Sequence, residues 1–166
     1  VVQALRTAGQ TLREVFTYRM LDTAGAESTA RLNVLIQGAN DNPVAQNDSN
    51  VASDQVRAPQ AIGNVLPNDG DVDGGERFQV VGIRTGAESD SGATGNVGQT
   101  LVGRYGTLLI NADGNYRYTI DMSNSEVLAA AGLGQVLQDV FTYRMQDLTG
   151  ATDLAELVID LDIAAP

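Results

Sequence analysis

The chain of 166 residues contains no cysteine, no histidine, no tryptophan and no lysine. Without cysteine there is no disulfide staple and no thiol nucleophile. Without histidine a His-based catalytic triad is impossible. The two absences together remove the usual ligands of zinc, copper, haem and iron–sulfur clusters. The missing lysine rules out a lysine-bearing phosphate loop, and all ten basic residues are arginine. Positive charge is scarce: 10 basic residues face 21 acidic ones, a formal net charge of −11. Such a balance repels nucleic-acid phosphates and anionic lipid surfaces, so neither partner is expected. No apolar run approaches the ~20 residues of a membrane span, and no leader is visible at the N-terminus.

What the chain has instead is a copy of part of itself. The segment from Gly9 to Met20, GQTLREVFTYRM, returns as GQVLQDVFTYRM from Gly134 to Met145. The register then holds without a gap. Asp22 matches Asp147, Gly25-Ala26 matches Gly150-Ala151, and Leu32 matches Leu157. The period of roughly 125 residues is the size of a domain, far beyond the 20–50 residues of a solenoid unit. The expected organisation is the tail of one unit (1–38), a linker (39–48) and one whole unit (49–166).

Strand-like alternation dominates. Val15–Met20 reads as a strand with Phe16, Tyr18 and Met20 on one face, and Ala30–Ile36 as its partner. Ser49–Val56, Ala61–Leu66 and Phe78–Arg84 are further strand candidates. Gly106–Asn111 and Asn115–Ile120 flank Ala112-Asp113-Gly114, and Asp-Gly between two such runs signals a hairpin. Ser125–Ala131 is the one helical stretch, with Ser123 or Ser125 as its cap. Thr85–Gln99, rich in Gly, Ser, Thr and Asn, reads as a long mobile loop. Seven or so short strands with frequent turns predict an all-β, antiparallel sandwich of the immunoglobulin or cadherin type. Phe16, Tyr18, Phe141, Tyr143, Tyr116, Tyr118, Leu108 and Ile110 are the expected core.

Asp residues crowd into turns with Gly and Asn, where they are hard-cation ligands. Asp69-Gly-Asp71-Val-Asp73-Gly74 fits the opening of a calcium loop, D-x-D-x-D-G. The EF-hand form needs Glu at its twelfth position; Val80 stands there, so a β-type site would complete its shell with Glu76, carbonyls or water. The bland alternative is an Asp-Gly turn with solvated charges. In the linker, Asn40-Asp41-Asn42 has the look of an interdomain cation motif, with Asp48 close by in sequence; an Asx-turn before Pro43 explains it equally. Asp22 and Asp147 sit in equivalent Asp-x-x-Gly turns, either within reach of a junctional ion or simply shaping the turn. Asp113 reads as structural, and Asp160 and Asp162 as solvent-facing.

Val102–Thr119, VGRYGTLLINADGNYRYT, resembles the signature of VCBS repeats, the tandem domains of very large bacterial surface adhesins. The similarity continues through Val127–Ala130 and Val140–Tyr143, and includes the boundary segment Gly38–Ala45. Val65–Gly74 is similar to the early loop of related cadherin-like adhesin repeats. The resemblance implies a secreted, calcium-dependent protein at the bacterial surface, often exported by type I secretion. It implies a role in extending an adhesive domain and supporting biofilm. Three functions follow as expectations: a calcium-stiffened extender repeat; a fibre subunit completed by strands 1–38 of an identical chain; or a module binding glycan or protein through Thr85–Gln99. Catalysis is not expected, since the carboxylates lie in turns, no G-x-S-x-G elbow is present and no phosphate loop exists.

Overall fold

The computed structural model describes residues 4–7, 9–55, 59–73, 75, 77–89, 92–133 and 135–164. They divide into two units, Val1–Asp41 with Val72–Gly75, and Asn42–Asp71 with Glu76–Pro166. The division falls at Asp41/Asn42, inside the segment read as linker.

The first unit is built on one hairpin. Strand β1 (Thr11–Leu21) pairs antiparallel with β2 (Glu27–Gln37), from Thr11↔Gln37 to Leu21↔Glu27. Alternation puts Leu12, Glu14, Phe16, Tyr18 and Met20 on one face with Leu32, Val34 and Ile36. The opposite face is mixed, with Val15, Leu21 and Leu35 exposed among polar residues, and Arg19 bonds Glu27 at 2.7 Å there. Gly25 closes the turn at φ +83°, a left-handed value that a β-carbon resists.

The second unit holds eight strands: β3 (Asp48–Ser53), β4 (Gln60–Asn64), β5 (Gln79–Thr85), β6 (Leu101–Val102), β7 (Gly106–Ile110), β8 (Asn115–Ile120), β9 (Leu137–Gln146) and β10 (Thr152–Asp162). Their order is β5-β9-β10-β3-β4-β8-β7-β6. One residue pair, Ser53↔Gln60, joins β3 to β4. At that thin joint the ladder folds over into two layers, and the T-shaped contact of Tyr118 (β8) with Phe141 (β9), centroids 5.9 Å apart, spans the core between them. Leu108, Ile110, Tyr118, Phe141, Tyr143, Met145, Leu157, Ile159 and Leu161 are sealed from solvent. The all-β sandwich is therefore as expected, with one addition: β10 pairs with β3 in parallel, Leu157↔Asp48 to Asp162↔Ser53.

Three details differ from the sequence reading. Phe16 and Tyr18 are not core residues: they are 52% and 48% exposed. The helix α1 (Ser125–Leu133) is capped by Asn124, whose Oδ1 accepts the Glu126 amide at 2.9 Å, not by either serine. The Thr85–Gln99 segment is pinned at its far end: Ile83 N–H donates to the Gly95 carbonyl at 3.0 Å, Gly98 N–H donates to that of Ile110 at 2.7 Å, and Ala93 is buried.

Candidate functional site

The polar centre of the second unit is the hydroxyl of Tyr143. Its ring lies in the core because β9 alternates inward at Phe141, Tyr143 and Met145. The hydroxyl emerges where the start of β3 meets the loop after β4. Five oxygens crowd it: the carbonyls of Gln46 (3.0 Å) and Val65 (3.1 Å), Asp48 Oδ2 (3.1 Å), and Asp69 Oδ1 and Oδ2 (3.3 and 3.4 Å). A tyrosine hydroxyl carries one proton, so it donates to one of these at a time. The surroundings are therefore rich in acceptors and poor in donors.

The two strands of chain that supply these oxygens are laced together. Val44 and Gly70 exchange N–H···O bonds at 2.8 and 3.0 Å. The Gln46 amide donates to Asp69 Oδ1 at 2.8 Å, and the Ala45 amide donates to Asp153 Oδ2 at 2.9 Å. Burial pushes the Asp48 carboxyl up to about 6, the Tyr143 bond opposes this, and the neighbouring Asp69 charge adds to it. Asp69 is likewise raised, by burial first and with Asp153 contributing. Burial beside these carboxylates drives the Tyr143 phenol far above its ordinary value. For both carboxyls burial outweighs the hydrogen bonds that favour the charged form, which is the condition that a cation relieves.

The structure thus brings Asp48 and Asp69 together, although 21 positions apart in sequence they were assigned to two different candidate sites. Asp71 follows in the same loop, half-buried. In the first unit, Asp73 is buried and accepts the Asp41 amide at 3.0 Å, while Asn40 donates its side-chain amide to the Asp41 carbonyl. Glu76 and Gly74 lie outside the described residues. Asp22 and Asp147 are occupied with their own turns. Asp22 Oδ1 accepts the amides of Ala24 and Ala26, both at 2.8 Å; Asp147 Oδ1 accepts those of Thr149, Gly150 and Ala151 at 2.6–2.8 Å. Among the described residues no three acidic side chains are grouped so as to hold a metal ion by themselves. A site built from the described residues alone draws on other oxygens as well, such as carbonyls or water.

Sequence reasoning missed Asp139. It is buried and accepts from the amides of Arg104 (3.1 Å) and Tyr105 (3.0 Å) and from the Tyr118 hydroxyl (2.9 Å). Gly103 makes room for it: a β-carbon there would fall 2.4 Å from Asp139 Oδ2. Beside it a cavity of about 470 Å³ runs along Thr85–Ala87 and Val102–Arg104. The signal was faint, an acid at an inward position of a strand (Glu14 in the first copy).

A family model described as the bacterial cadherin-like domain matches residues 40–163. The chain belongs to this family. The cadherin-like domain so delimited contains the Tyr143 hub, Asp139 and all eight strands of the second unit. The family is one of structural and adhesive domains rather than enzymes, typically extracellular. Among the described residues no helix is long and apolar enough to cross a membrane. Among solved structures, a protocadherin gammaB7 EC3–6 cis-dimer is similar over 92% of this chain, at 11% identity and a TM-score of 0.42. This chain covers 33% of that one, about a third of its length. No curated protein sequence matches.

Proposed function

We propose that residues 40–163 are a structural extender repeat of a secreted bacterial adhesin, stiffened by calcium. Family membership supports the repeat and adhesive role. The observation that supports calcium is the oxygen crowd at Tyr143, where two desolvated carboxylates and two carbonyls converge on one hydroxyl. The donor set fits the ion: all its atoms are hard oxygens, which calcium takes in sixes to eights with flexible geometry. Asp48 and Asp69 would hold it with the Gln46 and Val65 carbonyls, and Asp71 is the next donor along the loop. Asn40, Asp41 and Asp73 form a second acidic group in the first unit, and Glu76 completes the motif in sequence. Asp22 and Asp147 stay with their turns.

The ion would supply positive charge where burial leaves the two carboxylates under-compensated. The protein's own part is to hold the two loops in register, through the Val44–Gly70 bridge and the Gln46–Asp69 bond, so that the donors stay assembled. Binding to the folded state alone stabilises by RT ln(1 + [L]/Kd), about 2.7 kcal/mol at a hundredfold excess over Kd. The test is thermal unfolding in calcium and in EDTA. Chelation is expected to lower the Tm, and Asp69→Asn and Asp71→Ala each to remove much of the calcium response. Superimposed melting curves with and without calcium would refute the stiffening role while leaving the repeat fold standing.

The finer family reading, a VCBS repeat in a protein exported by type I secretion and serving biofilm, is part of the same proposal and rests on the motif resemblance in residues 102–119 and 38–45.

A further inference from the structure

We propose that the apolar face of the β1–β2 hairpin is the docking surface for a repeat body built like residues 44–131 and joined in line ahead of Gly9, which the hairpin closes as β9–β10 closes its own unit. The proposal rests on the tandem-repeat reading above but is independent of calcium.

The two hairpins are the same object. Leu12↔Ile36 and Leu21↔Glu27 in the first correspond, one period on, to Leu137↔Leu161 and Gln146↔Thr152 in the second, and every pair between them keeps step. The turns agree as well: Asp22 N–H donates to the Ala26 carbonyl and Asp147 N–H to that of Ala151, each at 3.0 Å. Their likeness is concentrated on one face. Phe16, Tyr18, Met20 and Leu32 return unchanged as Phe141, Tyr143, Met145 and Leu157, and these copies are fully buried. The outer face keeps Val15, Thr17 and Arg19 as Val140, Thr142 and Arg144 but drifts elsewhere, with Arg31 becoming Glu156, Asn33 becoming Val158 and Leu35 becoming Asp160. The apolar face is the better kept of the two, which is the mark of a face that packs. In the first hairpin, Phe16, Tyr18, Met20 and Leu32 are each about half exposed, a run of large apolar side chains on one face of the kind that marks an interaction surface.

Two polar groups on this face decide what covers it. Glu14 stands where Asp139 stands, and Asp139 is served by two amides and a tyrosine hydroxyl from the body. The Tyr18 hydroxyl stands where that of Tyr143 meets carbonyls and carboxylates of the body. A repeat body supplies both donors and acceptors. A second hairpin laid face to face offers each Glu14 at most one Tyr18 hydroxyl and no backbone amide, against the two amides and a hydroxyl that serve Asp139, and so buries two carboxylates with poor compensation. The occupant is therefore a body, not another copy of the hairpin.

The test compares the 166-residue chain with an extended chain in which residues 39–133 are duplicated ahead of Gly9. In the extended chain, amide exchange of residues 11–37 is expected to slow by about a hundredfold or more, to the range of 137–162. A second unfolding transition is expected to appear, and Phe16→Ser to abolish it while leaving the first in place. A control extension closed by residues 134–163 in place of 9–38 guards against misfolding. Folding of the control but not of the hairpin version overturns the proposal, as does failure of both to fold the added body. A concentration-dependent dimer of the 166-residue chain, with 11–37 protected from exchange, also overturns it, since the face would then belong to a second copy. Loss of the calcium response, by contrast, leaves this result untouched.

Discussion

Phe16 and Phe141 occupy the same place in the same hairpin, yet Phe16 is 52% exposed and Phe141 fully buried. Tyr18 and Tyr143 differ in the same way, at 48% and 0%. Strand pairing, register and the Asp-closed turn are identical in the two hairpins, so these properties are local. They need only alternation, an aspartate that caps its own loop, and a glycine tolerant of positive φ at Gly25 and Gly150. Burial is not local. It arrives from β5 and β3, which flank β9–β10 in their own layer, and from the β4–β8–β7 layer across the core of the second unit. An isolated two-stranded hairpin is marginal in water, and the first unit shows such a face about half exposed.

The sharpest way to break this comparison is to truncate both phenylalanines. Phe141→Ala removes a sealed ring in edge contact with Tyr118 and is expected to cost about 3–5 kcal/mol of unfolding free energy. Phe16→Ala, at a half-exposed position, is expected to stay within about 0.5 kcal/mol. Urea titration followed by tyrosine fluorescence reads both; equal losses would mean that the two hairpins share the same environment. The acidic pair comes next. Asp139→Ala strands two amides and the Tyr118 hydroxyl in the interior, at about 2–3 kcal/mol, while Glu14→Ala leaves global stability unchanged to within about 0.5 kcal/mol. A smaller contrast is expected at the turns. Asp147→Ala frees three loop amides at a buried corner and costs about 1–2 kcal/mol. Asp22→Ala is expected to leave global unfolding unmoved and to show itself only as faster amide exchange near Ala24 and Ala26.

The fold was largely legible because alternation and turn chemistry are written residue by residue. Asp113-Gly114 announced the β7–β8 hairpin, and Phe141, Tyr143, Leu108 and Ile110 announced the core. The exposure of Phe16 was not legible, since the residues that bury its copy lie far away in sequence. The helix cap was misread for a smaller reason: Ser123 and Ser125 flank Asn124, all three are good caps, and only backbone position selects among them. The candidate site was legible in part. The acidic residue types were visible, but their grouping was not. Asp48 and Asp69 meet because β3 begins beside the loop that follows β4, a fact of topology. Asp139 and the polar role of the Tyr143 hydroxyl escaped notice because an inward position on a strand reads as apolar core, and pattern alone does not show that a hydroxyl or a carboxylate at its far end finds partners.

The smallest expected effect separates Tyr143 from Tyr18 through pH. Folding raises the Asp48 carboxyl from 3.8 to about 6, chiefly by burial. A carboxyl raised in the folded state binds its proton more tightly there than in the unfolded chain. Its contribution therefore favours folding at pH below about 4 and is lost as pH rises from about 4 to 6. Asp48 is only partly buried, so solvent screening reduces the loss to about 1 kcal/mol. In EDTA, stability is accordingly expected to decline across that window, and Asp48→Asn to flatten the decline. The hydroxyl of Tyr143 holds the Asp48 pKa down, so Tyr143→Phe is expected to carry the decline to higher pH. Tyr18→Phe has no such carboxylate to act on, and should leave the profile of the 166-residue chain as it is. A profile that Tyr143→Phe does not shift would detach the hydroxyl from Asp48, and with it a titrating partner by which the buried copy of this tyrosine differs from the exposed one.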